Sequence, residues 1–440
     1  MERREKNMQM VKCCFKYILV FLIVTVLLLG VLVLSAKIPK SAIKENMQES
    51  AVYLCEGELF DMVVEGVNSS KIDRYADSIL LAIAYQYDSD KPLTSVMWSS
   101  YYHSDFDNEN ENLLAAVTND YEANQQYLRY WHGSNVIVRP LLTFLKLKEI
   151  YILNGVLLVL LIICLFVILL KHKAYVPAVG IAFGLVLTSA WFVPFSLEYT
   201  WTYLLMLLAS IIGIRLMFKK RYKSMGVFFL ICGMVTNYLD FLTTETLTLT
   251  VPLLLMLWVE HKQNGQENTK NSFHITGKAV AAWGFGYVGM WMMKWLIASI
   301  VLSENVMPYV SEHIGERIGG DLGIGLLQYI FGAIWNNIKC LFPFEYGIIG
   351  AFTGIALVIF PVYVGYVYYG KHINKKCVIL YTLIGLIPYI RYAVLHNHSY
   401  LHCFFTYRAQ MATILAVVLI LEQLTDGRWT VRAYKRRSKA

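Results

Sequence analysis

Long apolar runs separated by short polar segments make up most of this chain. Four of the runs contain no Asp, Glu, Lys or Arg: residues 17–34, 151–170, 174–197 and 346–370. Each is close to or above the roughly 20 residues that a helix needs to cross a bilayer. Because the backbone finds no water inside a bilayer, each run must satisfy its own hydrogen bonds as a helix. The pattern therefore predicts an all-α integral membrane protein.

Weaker apolar runs raise the predicted number of membrane-spanning helices to about ten. Residues 323–342 are apolar enough to span, but a crossing there would carry the basic C-terminal tail to the outside. We therefore interpret them as an interfacial or re-entrant helix on the outer side. The predicted spans are 16–36, 151–170, 174–197, 199–217, 224–242, 244–259, 279–302, 346–370, 377–392 and 406–423.

Charge sets the predicted orientation. Lys and Arg cluster at residues 1–15 and 425–440, and residues 37–150 hold more than half of the acidic residues. The positive-inside rule then places both termini in the cytoplasm and residues 37–150 outside, with residues 151–424 forming a transmembrane bundle. The formal charge of +8 follows the ends of the apolar runs rather than one face, so nucleic acid is not a predicted partner.

The eight cysteines form no C-x-x-C pair and no zinc-type spacing, and most lie in or beside apolar segments. A buried thiol usually behaves as a small apolar group. We therefore predict no disulfide framework.

Asp73 and Asp77 open an amphipathic stretch in the outer loop. On a helix, residues four apart share a face, so repulsion between the two carboxylates would raise one pKa. A carboxylate with a raised pKa suits a general base. The alternative is a pair of helix-start acids neutralised by the neighbouring Arg74.

The same loop ends in an aromatic stretch, Tyr127 to Gly133, which Arg139 follows. Trp131 and His132 could line a groove in which an aromatic face stacks on a sugar, and Arg139 could bind a phosphate. The alternative is that these rings anchor a helix at the level of the lipid headgroups.

Asp240 and Glu245 lie at the predicted outer turn between two short helices. Acidic side chains at membrane depth are costly, and function is the default interpretation. We expect both to face an outer cavity and contact substrate. Either could bind a divalent metal, although the sequence demands no cofactor. The alternative is pairing with Lys294 or with an arginine.

Cationic side chains and histidines converge on the last outer loop. His398 and His402 have a four-residue spacing typical of metal ligands, but no H-E-x-x-H motif is present. Arg408 is predicted roughly 22 Å above the inner end of a core about 30 Å thick, at the height of a lipid phosphate. Snorkelling to the interface is its alternative. The candidate substrate-binding residues here are Arg391, His396, His398, His402 and Arg408.

The layout resembles the GT-C superfamily of membrane glycosyltransferases, with a first helix, a large acidic outer loop and then a helical bundle. Asp73-Arg74-Tyr75-Ala76 is similar to the acidic-Arg-Tyr-Ala stretch in the first loop of some members, including lipid A aminoarabinose transferases. Those members usually carry the acid closer to the first helix, often as an Asp-Glu pair.

The resemblance implies a polyprenyl-phosphate sugar donor, a glycan or lipid acceptor and a site on the outer face of a bacterial cytoplasmic membrane. Asp73 or Asp77 would deprotonate the acceptor hydroxyl, which attacks and inverts the anomeric carbon as lipid phosphate leaves. Fixed cations must stabilise the charge on that phosphate. The candidates are Arg139, Arg391, Arg408, His396, His398 and His402, beside an apolar groove for the lipid tail.

Three alternatives remain open at this stage. A polymerase or ligase of lipid-linked glycans would use the arginines and histidines without a loop carboxylate. A transporter or flippase of an anionic lipid or solute would use Lys294, Glu245 and Asp240 inside the bundle, although no internal repeat supports an inverted-repeat transporter. A structural membrane subunit would tolerate alanine at every candidate residue.

Overall fold

The structure is a computed structural model that describes residues 2–104, 108–264, 269–318, 323, 325–370 and 373–425. Helices dominate this part of the chain. In chain order they are α1 (Glu2–Ala36), α2 (Lys40–Cys55), α3 (Arg74–Gln86), α4 (Pro92–Trp98), α5 (Glu109–Asn119), α6 (Asn135–Leu141), α7 (Leu147–Lys171), α8 (Tyr175–Leu187), α9 (Leu197–Phe218), α10 (Met225–Leu239), α11 (Leu247–Asn264), α12 (Thr269–Leu302), α13 (Met307–Ile318), α14 (Leu326–Lys339), α15 (Gly347–Val367), α16 (Lys375–Gly385), α17 (Ile387–Val394), α18 (His396–Leu401), α19 (Cys403–Thr406) and α20 (Met411–Leu424).

The described residues include one small sheet. Its strands β1 (Phe60–Met62) and β2 (Lys71–Asp73) are antiparallel, with Phe60 opposite Asp73. The sheet lies in the loop between α1 and α7, and α3 follows β2 directly. The loop is therefore a folded layer of short helices with one hairpin, and the hairpin fixes the position of Asp73.

Seven helical stretches among the described residues are long and apolar enough to cross a membrane: Cys14–Ala36, Leu147–Lys171, Leu197–Phe218, Asn271–Leu302, Gly347–Val367, Lys375–Val394 and Cys403–Leu424. Two shorter apolar helices, Tyr175–Leu187 and Met225–Leu239, accompany them. The predicted all-α multi-pass membrane protein is confirmed at this level. The larger number of crossings and the orientation of the termini stay predictions.

The prediction of one continuous helix over residues 174–197 is wrong. Helix α8 ends at Leu187, and a 3₁₀ segment over Ala190–Phe195 precedes α9. Ser189 takes a left-handed backbone conformation with φ of 48°, and Pro194 has no N–H to continue a helical ladder. The break brings the N-terminus of α9 against the outer loop.

Similar breaks interrupt the last two predicted spans. Helix α16 ends at Gly385 and α17 begins at Ile387, with Pro388 in its first turn, where a missing N–H is tolerated. A 3₁₀ turn over Tyr407–Gln410 precedes α20. Residues 326–339, inside the predicted interfacial segment, form the amphipathic helix α14, which packs on α17 and α18.

The core of the bundle is formed by helix pairs that pack along their lengths. Helix α10 packs on α12, α9 on α11, and α20 on both α8 and α16. Within the loop, α3 is almost entirely buried and packs on α2, α5, α6 and α9. The loop and the bundle thus share one core, and the site lies at their junction.

Candidate functional site

A cavity of about 100 Å³ opens where the loop meets the bundle. Its walls combine aromatic rings, carboxyl groups, histidines and a few apolar side chains. The lining residues are Phe60, Tyr75, Tyr127, Tyr130, Phe241 and Phe405, then Asp73 and Glu198, then His132, His398 and His402, and finally Ala76, Ile79 and Leu80. The cavity joins the first loop to the last outer hairpin of the predicted topology.

Asp73 reaches this cavity from the end of β2. Its carboxylate caps α3 by accepting a hydrogen bond from the Ala76 N–H at 2.8 Å. The carboxyl of Glu198 lines the cavity beside Asp73, close enough for the two side chains to influence each other's pKa. Two neighbouring carboxyls can hydrogen-bond to each other only when one of them is protonated. Burial raises the pKa of Asp73 above its usual range, the charge of Asp77 adds to this, and the hydrogen bonds from Ala76 and Glu198 oppose it.

Glu198 was not selected by the sequence analysis as a site residue. It lies in the first turn of α9, is 7% exposed, and its Oε2 atom has no hydrogen-bond partner in the described part of the chain. A lone acid at the start of a long apolar helix was the available signal, because such an acid is costly without a purpose.

Asp77 does not line the cavity, although it was predicted to form a catalytic pair with Asp73. Its carboxylate is fully buried and accepts hydrogen bonds from the Tyr151 hydroxyl, the Ser196 hydroxyl at 3.1 Å and the Leu197 N–H at 2.9 Å. These donors cluster at the N-terminus of α9, where a negative charge is stabilised. Burial raises the pKa of Asp77 to about 6, and these hydrogen bonds oppose the shift.

Arg74 does not neutralise either of these acids by direct contact. Its guanidinium forms an ion pair with Asp61 at 2.7 Å and donates to the Tyr53 carbonyl at 2.7 Å. Arg74 therefore closes the hairpin between β1 and β2 and leaves Asp73 to the cavity.

The aromatic stretch of the loop divides into one structural and one cavity-facing residue. Trp131 is fully buried and donates its indole N–H to the Met290 carbonyl at 2.8 Å, so it is not available to stack on a ligand. His132 lines the cavity with a left-handed φ of 52°, and its Nδ1 atom has no partner among the residues described. Burial lowers the pKa of His132 to about 3, so the ring is neutral.

Arg139 is buried within the loop and does not reach the cavity. It donates to the carbonyls of Ile38 at 2.6 Å, Tyr87 at 3.2 Å and Ala84. A guanidinium that already bonds three carbonyls ties loop segments together. The structure therefore gives Arg139 no route to a phosphate in the cavity.

Arg391, Asp240 and Glu245 meet behind the cavity rather than in its lining. Arg391 forms a buried ion pair with Glu245 at 2.9 Å and also donates to the Leu242 carbonyl at 2.5 Å. Asp240 caps its own turn by accepting from the Leu242 N–H at 2.9 Å. The predicted alternative of an arginine partner is therefore the one seen for Glu245.

Lys294 is not a partner of these acids. Its ammonium donates to the carbonyls of Val96 at 2.7 Å and Met97 at 3.0 Å, at the C-terminal end of α4. The negative end of a helix is a favourable site for a cation. Lys294 therefore fastens the loop to α12.

The three histidines of the last hairpin separate in space. His398 and His402 line the cavity with ring centroids 4.8 Å apart, whereas His396 packs against the Tyr329 ring at 4.9 Å and stays outside it. Over the described residues, no three His, Cys, Asp or Glu side chains are grouped as metal ligands. His398 and His402 thus present two neighbouring imidazole rings to the cavity.

Arg408 lies behind the cavity wall. Its guanidinium is 4.6 Å from the Tyr199 ring and 4.9 Å from the Tyr407 ring, and it donates to the Ser69 carbonyl at 3.3 Å. Tyr199 in turn packs on Phe405 of the cavity lining, with ring centroids 5.6 Å apart. The positive charge is therefore separated from the cavity by aromatic side chains.

Arg129 is a cation that the sequence analysis did not select. Its guanidinium lies 4.1 Å from the Tyr127 ring and 5.5 Å from the Tyr130 ring, both of which line the cavity. Its Nε atom has no hydrogen-bond partner, and no ion pair found among the described residues includes it. The tyrosines on either side of Arg129 in sequence were the signal for this cation–π arrangement.

Of the predicted site residues, Asp73, His132, His398 and His402 line the cavity, and the other eight lie outside its lining. The geometry thus retains one predicted carboxylate, adds Glu198 and Arg129, and moves the other arginines into supporting positions. Comparison of the chain with protein-family models, with curated proteins and with solved structures found no match.

Proposed function

We propose that the protein is a GT-C-like membrane glycosyltransferase. It transfers a sugar from a polyprenyl-phosphate donor to a glycan or lipid acceptor on the extracytoplasmic face, with inversion of the anomeric carbon. The observation that carries the proposal is the carboxyl pair of Asp73 and Glu198 inside a cavity walled by aromatic rings.

Unsatisfied polar atoms support a polyhydroxylated ligand in this cavity. Glu198 Oε2 and His132 Nδ1 are buried without partners in the described chain, and such atoms normally find a hydrogen bond. His132 Nε2 bonds the Tyr127 carbonyl and therefore carries the proton of the neutral ring, which leaves Nδ1 as an acceptor. A sugar hydroxyl can donate to a carboxylate oxygen or to this unprotonated imidazole nitrogen. The aromatic faces around these atoms suit the apolar faces of a pyranose ring.

Asp73 is the residue that we assign as general base. Its raised pKa brings the proton affinity of its carboxylate closer to that of the attacking alcohol, which makes proton transfer more efficient. Asp73 takes the proton of the acceptor hydroxyl, the hydroxyl oxygen bonds to the anomeric carbon, and the bond to lipid phosphate breaks. Glu198 holds Asp73 in place and shares its proton between turnovers.

The departing phosphate gains negative charge and requires a fixed cation. Arg129 is the best-placed cation, because it borders two cavity tyrosines and lacks a carboxylate partner among the described residues. The guanidinium of Arg391 is already bonded to Glu245. Arg408 lies behind Tyr199 and can stabilise the phosphate charge only through its long-range electrostatic field.

The transporter alternative loses its motivating groups in this geometry. Lys294 is bonded to helix-end carbonyls, Glu245 is paired with Arg391, and Asp240 caps a turn. Groups bonded in this way have no need of a transported ion. The same carboxyl pair favours the transferase over a glycan ligase, which needs no base in the loop.

The test uses full-length protein in lipid nanodiscs with a panel of polyprenyl-phosphate hexoses and oligosaccharide acceptors. Release of polyprenyl phosphate is measured for the wild type, for Asp73→Asn and for Asp120→Asn, an exposed loop acid outside the cavity lining. We expect release by the wild type and by Asp120→Asn, and its loss in Asp73→Asn. Full release by Asp73→Asn would exclude the base assignment and favour a ligase.

A further inference from the structure

Two free thiols meet at the end of α14. Cys340 follows this helix directly and Cys403 begins α19, and the two are 1% and 8% exposed. Together with Tyr407 they form one small buried cluster. One side-chain amide, that of Asn68, lies within hydrogen-bonding distance of both sulfur atoms, so the two thiols are neighbours in the fold.

The surrounding groups hold this thiol pair in place. The Asn68 side-chain amide donates to Cys403 Sγ at 3.2 Å and to Cys340 Sγ at 3.7 Å. Cys340 donates to Glu345 at 3.7 Å, and the other carboxylate oxygen of Glu345 accepts from the Ser69 N–H at 2.7 Å. The pair thus lies where the loop, α14 and α19 converge.

The position of the pair links it to the cavity. Cys403 directly follows His402, and the turn at Asn68 directly precedes the strand that ends in Asp73. Both flanking segments supply lining residues. The charge pattern predicts that this end of the molecule faces the extracytoplasmic compartment, where disulfides persist more readily than in the cytosol.

We propose that Cys340 and Cys403 form a reversible disulfide bond that fastens the histidine segment of the cavity wall to α14. The oxidant is the disulfide of an extracytoplasmic thiol oxidase or of oxidised glutathione. Both S–H bonds break and one S–S bond forms, and the two electrons and two protons pass to the oxidant, which becomes two thiols. This bond forms whether or not the cavity transfers sugars.

The bond joins residues 63 positions apart in a chain whose histidine segment is otherwise held by hydrogen bonds. Closing that loop restricts the unfolded chain. We therefore expect the oxidised protein to melt several degrees higher than the reduced protein. The difference should vanish in Cys340→Ala and remain in Cys232→Ala, which removes a different buried thiol.

The direct test counts thiols in the full-length protein in nanodiscs after exposure to oxidised or reduced glutathione. The protein is then denatured in the presence of N-ethylmaleimide, which labels free thiols, and its intact mass is measured by mass spectrometry. With eight cysteines in the chain, the reduced wild type takes up eight labels, and we expect the oxidised wild type to take up two fewer. Oxidised Cys340→Ala should label at every remaining cysteine, whereas oxidised Cys232→Ala should still lose two labels.

Peptide mapping after oxidation identifies the sulfurs that are joined. A crosslinked peptide containing Cys340 and Cys403 supports the proposal. Complete labelling of the oxidised wild type, a glutathione adduct at Cys403 alone, or a disulfide between other cysteines would overturn it. Because the readout is a mass rather than sugar transfer, its failure leaves the glycosyltransferase proposal untouched, and the reverse also holds.

Discussion

Asp73 and Asp77 lie one helical turn apart, yet the protein treats the two carboxylates differently. Both oxygens of Asp77 accept hydrogen bonds from protein donors, including the Tyr151 hydroxyl and the Leu197 N–H at the start of α9. Asp73 faces the cavity beside the carboxyl of Glu198, and no N–H or O–H in the described chain donates to Glu198 Oε2. The hydrogen-bonding capacity of Asp77 is filled by protein donors. Asp73 and its neighbour Glu198 keep capacity to bond a ligand.

This difference shows how one short helix can serve two purposes. The hydrogen bonds to Asp77 hold the N-terminus of α9 against the loop. Glu198 directly follows Leu197 in the first turn of that helix. The Glu198 N–H also lies 3.4 Å from Asp77 Oδ1, so Asp77 supports the backbone of this segment rather than the Glu198 side chain. We expect substitutions at Asp77 to act on stability and substitutions at Asp73 to act on chemistry.

The largest effect is expected for Asp73→Asn. Asparagine is also a good helix N-cap, so α3 should stay intact, but its amide cannot accept the acceptor's proton. Loss of a general base typically lowers a rate by about 10²–10⁴-fold. Initial rates of polyprenyl-phosphate release, measured beside thermal unfolding, should show a large fall in rate with little change in unfolding temperature. A parallel loss of both would make Asp73 structural.

Asp77→Asn should show the opposite pattern. An amide N–H₂ in place of one carboxylate oxygen faces donors that need an acceptor, and hydrogen bonds to charged groups contribute about 1.5–3 kcal/mol each. We expect the free energy of unfolding in mixed micelles to fall by roughly that amount. The rate per folded molecule should stay within a few-fold of the wild type. A specific collapse of that rate would make Asp77 part of the chemistry.

The pH profile of the wild type should separate the two acids further. A base works only when ionised, and burial raises the pKa of Asp73. The transfer rate should therefore fall about tenfold per pH unit below an inflection that lies above the ordinary aspartate value of about 3.9. Asp77→Asn should keep an inflection but move it lower, because the charge of Asp77 contributes to the raised pKa of Asp73. An inflection at or below the ordinary value would remove the support for a buried base.

The smallest effect is expected when the solvent-accessible ion pair between Lys40 and Asp120 in the same loop is removed. Asp120 pairs with Lys40 at 2.9 Å, with side chains 56% and 32% exposed. Exposed ion pairs contribute about 0–1 kcal/mol, so Lys40→Met should change the free energy of unfolding by less than about 1 kcal/mol. Urea or detergent titration measures this baseline. A larger loss of unfolding free energy would show that the contribution of a loop side chain does not follow its burial. The large effect expected for the buried Asp77 would then need another cause.

The sequence predicted the helices well because lipid imposes a simple rule on apolar runs. It also located Asp73, His398 and His402, since polar residues just outside apolar runs gather at one predicted end of the bundle. It did not predict the break after Leu187. Pro194 was visible there, but the left-handed Ser189 depends on tertiary packing.

The arginines were harder to assign because their partners are remote in sequence. Arg139 bonds carbonyls 52 to 101 residues away, and Arg391 pairs with an acid 146 residues away. No spacing rule relates residues so far apart. Arg129 and Glu198 were overlooked because a sequence does not show which polar atoms a fold leaves without partners, here Arg129 Nε and Glu198 Oε2 in the described chain.

The anchoring of the loop on α12 has a consequence for how the protein is made. Trp131 donates to the carbonyl of Met290, which is synthesised 159 residues later. At roughly 5–20 residues per second, that interval lasts roughly 8–30 s. During this time the ribosome is still synthesising the helices of the bundle, and the Trp131 indole lacks its hydrogen-bond acceptor. Biogenesis therefore exposes the unfinished loop to chaperones and proteases until the membrane half of its core arrives.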